Sequence, residues 1–186
     1  MKTILICVLS IMLSACSLAP QKLTVLPVFD FVKLKDLPLS VELEVVDERG
    51  KTALLGYRNG KKEGAIEFNG ALAKALGESM QQALEAQGVP MGWSGNSGIK
   101  ISLHIEKFNY GTADKNWVSH IAMQGRILLK LNRTGSTLSK RFSVNRSQDV
   151  AIAPNAAFNQ SYMNQLLSDL VNKAMNDPEI IEFLVR

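Results

Sequence analysis

The strictest alternation in the chain begins at Leu39, where Leu39, Val41, Leu43 and Val45 fall on one side and Ser40, Glu42 and Glu44 on the other. Successive strand residues point to opposite faces, so this stretch reads as a half-buried strand. It runs into the polar cluster Asp47-Glu48-Arg49-Gly50, and Asn59-Gly60 gives a second turn signal. A short strand is predicted near 65–67. Over 69–87 the period changes: Leu72, Leu76, Met80, Ala83 and Leu84 return at steps of three and four, which predicts a helix with one buried stripe. Gly88 supplies a left-handed C-terminal cap and Pro90 blocks continuation.

Three strands are predicted next, over 99–110, 117–131 and 138–150, with short polar loops at 111–115 and 132–137. Connections this short imply an antiparallel meander. The first strand turns Ile99, Ile101, Leu103 and Ile105 inward, and the second Ile121, Met123, Ile127, Leu129 and Leu131. The third is less regular. A second helix over 157–175 carries Phe158, Tyr162, Leu166, Leu167, Leu170 and Ala174 on its core stripe. A last short helix is announced by Asp177 as N-cap and Pro178 at the first helical position. The pattern specifies an α+β fold: an antiparallel β-sheet of about four to five strands, two main α-helices packed on one face, and a short C-terminal helix. The other sheet face is expected to be polar or wet. No internal repeat or low-complexity tract interrupts it.

The N-terminus has a different character. Lys2 precedes a nearly continuous apolar run over 4–13, too short for a hydrocarbon core that needs about twenty residues, so it reads as a secretory signal. It ends in Leu13-Ser14-Ala15-Cys16, an aliphatic residue, two small residues and a cysteine. This resembles the lipobox of bacterial lipoproteins. The resemblance implies cleavage between Ala15 and Cys16, diacylglycerol on the Cys16 sulfur and an acyl chain on the new amine. At about 0.8 kcal/mol per buried methylene, three chains make a membrane anchor that does not release spontaneously. Ser17, where aspartate would favour inner-membrane retention, implies the outer membrane of a Gram-negative host, with the protein facing the periplasm. An ordinary secretory signal with a chance cysteine is the competing reading.

The organisation expected is a removed signal peptide over 1–15, a lipidated cysteine and tether over 16–36 with room for a short edge strand at its end, and a single periplasmic α+β domain over 37–186. With 17–22 free, the tether spans roughly 20 Å when extended. Removing 1–15 from 186 residues leaves 171, enough for one domain with a real core. Lys2 leaves with the signal, so 21 basic and 17 acidic side chains become 20 and 17, a slight excess. Lys61, Lys62, Lys140 and Arg141 are scattered rather than clustered, which argues against nucleic acid and for solvated faces, with contact to anionic headgroups as the alternative. Cys7 is discarded and Cys16 carries lipid, leaving no thiol for a disulfide or a cysteine-bound zinc. The Asn-x-Ser/Thr triplets at Asn132, Asn145 and Asn159 carry no weight behind a lipobox.

Candidate chemistry is sparse. His104 and His120 stand on neighbouring strands, out of phase with the apolar sets, and with Glu106 they offer weak metal ligands. The bland reading is two surface histidines. Asp47 and Arg49 could position a substrate, against the simpler reading of turn hydrogen bonding. No nucleophile elbow, phosphate loop, His-Glu-x-x-His or dinucleotide fingerprint occurs, and no cofactor is expected. Trp93, Trp117 and Tyr110 lie at element ends, where aromatics anchor a partner or close a core.

The chain resembles the YajG-type lipoproteins. The resemblance rests on Cys16, on Leu76-Gly77-Glu78-Ser79-Met80-Gln81-Gln82-Ala83-Leu84-Glu85-Ala86-Gln87-Gly88, and on Asp177-Pro178-Glu179-Ile180-Ile181-Glu182-Phe183-Leu184. It spans most of the mature chain and implies an outer-membrane lipoprotein without an assigned activity, so no catalytic or ligand residues carry over. The expected function is a non-enzymatic envelope lipoprotein, held to the membrane through Cys16 and docking an envelope protein. A transport accessory or lipid carrier is the second reading, and a hydrolase or metalloenzyme the third.

Overall fold

The computed structural model describes residues 19–31, 40–50, 53–92, 98–115, 118–151 and 153–185. They form β1 (Gln21–Leu23), β2 (Val41–Asp47), β3 (Leu54–Tyr57), β4 (Ala65–Phe68), α1 (Leu72–Ala86), β5 (Ile99–Lys115), β6 (Val118–Arg133), β7 (Ser136–Val150), α2 (Ala156–Met175) and α3 (Pro178–Val185). The α+β class and both main helices are as the apolar periodicity implies.

The sheet is larger than expected and mixed. Its seven strands run β1-β4-β3-β5-β6-β7, with β2 also paired to β5. β5, β6 and β7 form the antiparallel meander. β2 and β3 instead lie one after the other along the free side of β5, both parallel to it, β2 against residues 99–105 and β3 against 110–111. The all-antiparallel expectation fails because α1 intervenes: a helical crossover returns the chain in the same direction. β3 approaches β5 so closely that a Cβ on Gly56 would lie 1.9 Å from the Tyr110 carbonyl oxygen, a position only glycine can fill. β3 was not foreseen, being four residues long and too short for alternation to register; the short edge strand allowed at the end of the tether is found near its start instead, as the three residues of β1.

One face of the sheet is covered. Ile101, Leu103 and Ile105 of β5 and Ile121, Ile127, Leu129 and Leu131 of β6 are buried together with Leu76, Met80 and Leu84 of α1 and Leu166, Leu167 and Leu170 of α2. α2 packs tightly at Gly125, where an added Cβ would sit 2.9 Å from Leu170 Cδ2. That glycine occupies the inward phase of β6 and makes room for the helix.

The caps behave as their residues require. Gly88 takes φ 79 after α1, with Gly88 N–H donating to Glu85 O (2.9 Å) and Val89 N–H to Leu84 O (3.1 Å), the paired bonds of a Schellman end. Asn155 accepts from Phe158 N–H at 2.8 Å and Asp177 from Glu179 N–H at 3.1 Å, each satisfying an orphan donor of its helix.

β7 is the edge strand beyond β6, and its irregular pattern has a cause. Two inward positions carry charge: Lys140 bonds Asp177 and Glu179 at 2.9 Å each, and Arg146 bonds Asp169 at 2.8 Å and covers the Tyr162 ring at 5.2 Å. Lys173 of α2 also donates to the Ser143 carbonyl at 3.1 Å. Inward-pointing charge is a recognised way to keep an open strand edge from pairing with another chain.

Candidate functional site

The foreseen metal ligands do not converge. His104 lies opposite Leu128 and His120 opposite Ala113 in the β5–β6 register, so their rows are about 26 Å apart at ~3.3 Å per residue. Each histidine has its own carboxylate: His104 Nδ1 is 2.7 Å from Glu48 and His120 Nδ1 is 2.6 Å from Asp149. Glu106 accepts instead from Arg141 Nε at 2.8 Å. Among the described residues no group of three or more His, Cys, Asp or Glu side chains is placed to hold a metal ion. On the same outer face Lys100 binds Glu44 at 3.0 Å and Glu42 at 3.6 Å. The hydrogen bond with Glu44 raises the lysine above its ordinary value and lowers the glutamate below its own.

Asp47 and Arg49 form a two-pronged ion pair (2.7 and 2.8 Å), with Arg49 packed over Phe68 at 5.2 Å. Both side chains are 8% exposed, so the pair pins the turn rather than facing a ligand. Tyr110 is an interior residue, 6% exposed. Its hydroxyl donates to Asn159 Oδ1 at 3.0 Å, and Asn159 Nδ2 donates to Gln21 Oε1 at 2.7 Å. Tyr110 therefore sits in the core, held through Asn159 to the first strand. Trp93, Trp117, Ala15 and Cys16 lie outside the described residues.

What the sequence reading missed is the path of the chain after β1. Part of the expected tether, residues 24–31, is an extended strap bound along α2. Thr24 N–H donates to Gln160 Oε1 (3.0 Å), Leu26 N–H to Asn164 Oδ1 (2.9 Å), Val28 N–H to Ser168 Oγ (3.0 Å) and Asp30 N–H to Asn172 Oδ1 (2.9 Å). Asn164 Nδ2 returns a bond to Thr24 O at 3.2 Å, and Asn176 Nδ2 one to Asp30 O at 2.9 Å. The match is geometric: four helical residues advance about 6 Å and two extended residues about 6.6 Å, so alternate strap amides meet every fourth helix side chain. Pro27 sits in the other set, where no N–H is needed. The sequence signal is the stripe Gln160, Asn164, Ser168, Asn172, Asn176. It is legible as a polar face, but not as a face with a backbone on it.

The strap has two sides. Leu23, Val25 and Phe31 point into the core, while Leu26 and Val28 are 65% and 79% exposed. Phe31 O accepts from Gln87 Nε2 at 3.2 Å near the end of α1. Leu26, Pro27, Val28 and Phe29 line one wall of an open groove whose other wall is Ser79, Gln82 and Ala83 of α1. Apolar side chains beside neutral hydroxyl and amide groups suit contact with another macromolecule and provide no acid, base or nucleophile pair.

No helix among the described residues is long and apolar enough to cross a membrane. The chain is similar in fold to protein XCC0632 of Xanthomonas campestris, with a TM-score of 0.61, 13% identity, and coverage of 89% of this chain and 97% of that one. An uncharacterized protein gives a TM-score of 0.53 at 13% identity, covering 84% and 97%. A minor lipoprotein from Acinetobacter baumannii gives 0.44 at 14% identity, covering 83% and 95%. No curated protein matches the sequence. A family model described as an uncharacterized lipoprotein matches residues 37–185. Since that match runs from the approach to β2 through the end of α3, the chain belongs to this uncharacterized lipoprotein family, in keeping with its YajG-type resemblance.

Proposed function

We propose that the protein is exported, cut between Ala15 and Cys16, acylated on Cys16 and held at the periplasmic face of the outer membrane as a non-enzymatic binding module. The observation that carries this reading is Leu13-Ser14-Ala15-Cys16 ahead of a domain matched by a lipoprotein family. Ser17 supports outer-membrane sorting in a Gram-negative host. The binding surface is the strap groove, where Leu26 and Val28 stand exposed beside α1. An envelope protein is its occupant, and the lipid anchor raises the local concentration of both.

Metabolic labelling with a fatty acid tests the anchor. The natural chain incorporates label and sediments with outer membrane, whereas Cys16→Ser does neither; an unlabelled natural chain ends the reading. Site-specific photo-crosslinking from position 26 or 28 in the intact envelope tests the surface. A discrete adduct that disappears with Val28→Asp supports it, and labelling no stronger than from exposed Gln81 of α1 sinks it. A lipid carrier would need its ligand to displace the side chains now filling the space between sheet and helices, so that reading has no observation in its favour.

A further inference from the structure

The bound strap changes what an anchor at Cys16 can do. Only two residues separate Cys16 from Ala19, whose carbonyl accepts from Arg58 Nη2. From there the chain pairs with β4 at Gln21 and continues onto α2. The reach from the acylated residue to fixed structure is thus about 11 Å, three Cα steps of 3.8 Å, roughly half the span of the expected tether. An acylated Cys16 therefore keeps the surroundings of Ala19 and Arg58 close to the headgroups.

The register identifies the end of the sheet to which these residues belong. β1 begins beside the start of β4, which adjoins the end of β3, and Tyr57 of β3 lies against Gly111 of β5. The same end carries the turn at 58–64, where Asn59 N–H donates to Thr112 Oγ1 at 3.0 Å, and the start of β6 at Val118. Lys61 and Lys62 are exposed in that turn beside Glu63, Asp149 at this end is paired with His120 at 2.6 Å, and Val118 is 39% exposed. The flank formed by α1 instead exposes Glu78 and Glu85 with Lys74, an acidic balance that an anionic surface repels.

Resting on acylation of Cys16, we propose that this end, with Lys61, Lys62 and Val118, is seated on the phospholipid surface, so that the sheet stands upright and the strap groove opens sideways into the periplasm. The test uses the full acylated chain in vesicles of phosphatidylethanolamine and phosphatidylglycerol, with acylation of lysines by a membrane-impermeant reagent read by mass spectrometry. Lys61 and Lys62 react about fivefold more slowly than in the Cys16→Ser chain, the factor matching ~1 kcal/mol per lysine at an anionic surface, while Lys74 is unchanged. A Gly-Ser spacer inserted between Ser17 and Leu18 leaves the protein in the vesicles and removes most of that shielding. An intact mass without acyl chains overturns the anchor and the orientation together. An acylated chain that shields Lys74, or no lysine, overturns the orientation alone, and so does a spacer variant that keeps the full shielding of Lys61 and Lys62.

Discussion

Toward the sheet, α2 presents Leu166, Leu167, Leu170 and Ala174, each at most 1% exposed; toward the strap it presents Gln160, Asn164, Ser168 and Asn172. Both faces hold extended chain. The apolar face gains about 1.5–3 kcal/mol for each large side chain removed from water, without regard to register. The polar face gains a net ~0.5–1.5 kcal/mol per hydrogen bond, and only when amide and side chain coincide. Burial therefore supplies most of the stability, and the amide ladder decides where each residue of the N-terminal arm lies. The strap is accordingly the more easily detached of the two partners.

Three substitutions sharpen that contrast, in decreasing order of effect. Leu170→Ala, opposite Gly125, lowers global stability by about 2–5 kcal/mol through lost burial and the cavity left behind. Urea denaturation reads it, and a loss below ~1 kcal/mol would show that this face is not the dominant support. Asn164→Ala removes one bond accepted and one donated, costing about 1–3 kcal/mol. Its mark is local: faster hydrogen exchange at Leu26 with β5 and β6 unchanged. Uniform acceleration across the sheet would mean the strap is no separate unit.

The smallest effect concerns pH. Burial raises the Asp177 carboxyl, but the hydrogen bond and charge of Lys140 outweigh it, leaving the group below its ordinary value of 3.8. Its contribution is complete above that value and is lost as pH falls through the depressed folded value. Asp177→Asn, which keeps an N-cap acceptor, should flatten the acid limb of the stability profile; coincident acid limbs for the two proteins would refute the role of the pair.

How much of this was legible follows the same division. Apolar spacing located α1 and α2 and the three strands of the meander, because each must bury a stripe or a face. Gly88, Asp177 and Pro178 marked helix ends through local chemistry that needs no tertiary partner. Parallel pairing of β2 and β3 with β5 escaped, since nothing in the strand residues records the direction of the neighbour. The strap escaped for a related reason: Pro27 and the mixed residues around it satisfy their backbone on side chains from more than a hundred positions away. His104 and His120 looked adjacent only because register was unknown.

The ladder on α2 also works as a vernier. Its two scales differ by about 0.6 Å per rung, and each fourth helical residue is rotated by roughly 40°, so the strap must curl around the cylinder as it advances. The four amide bonds stay between 2.9 and 3.0 Å along the ladder, so the curl takes up the difference between the two scales. A one-residue deletion from the strap would throw every later rung onto the wrong parity.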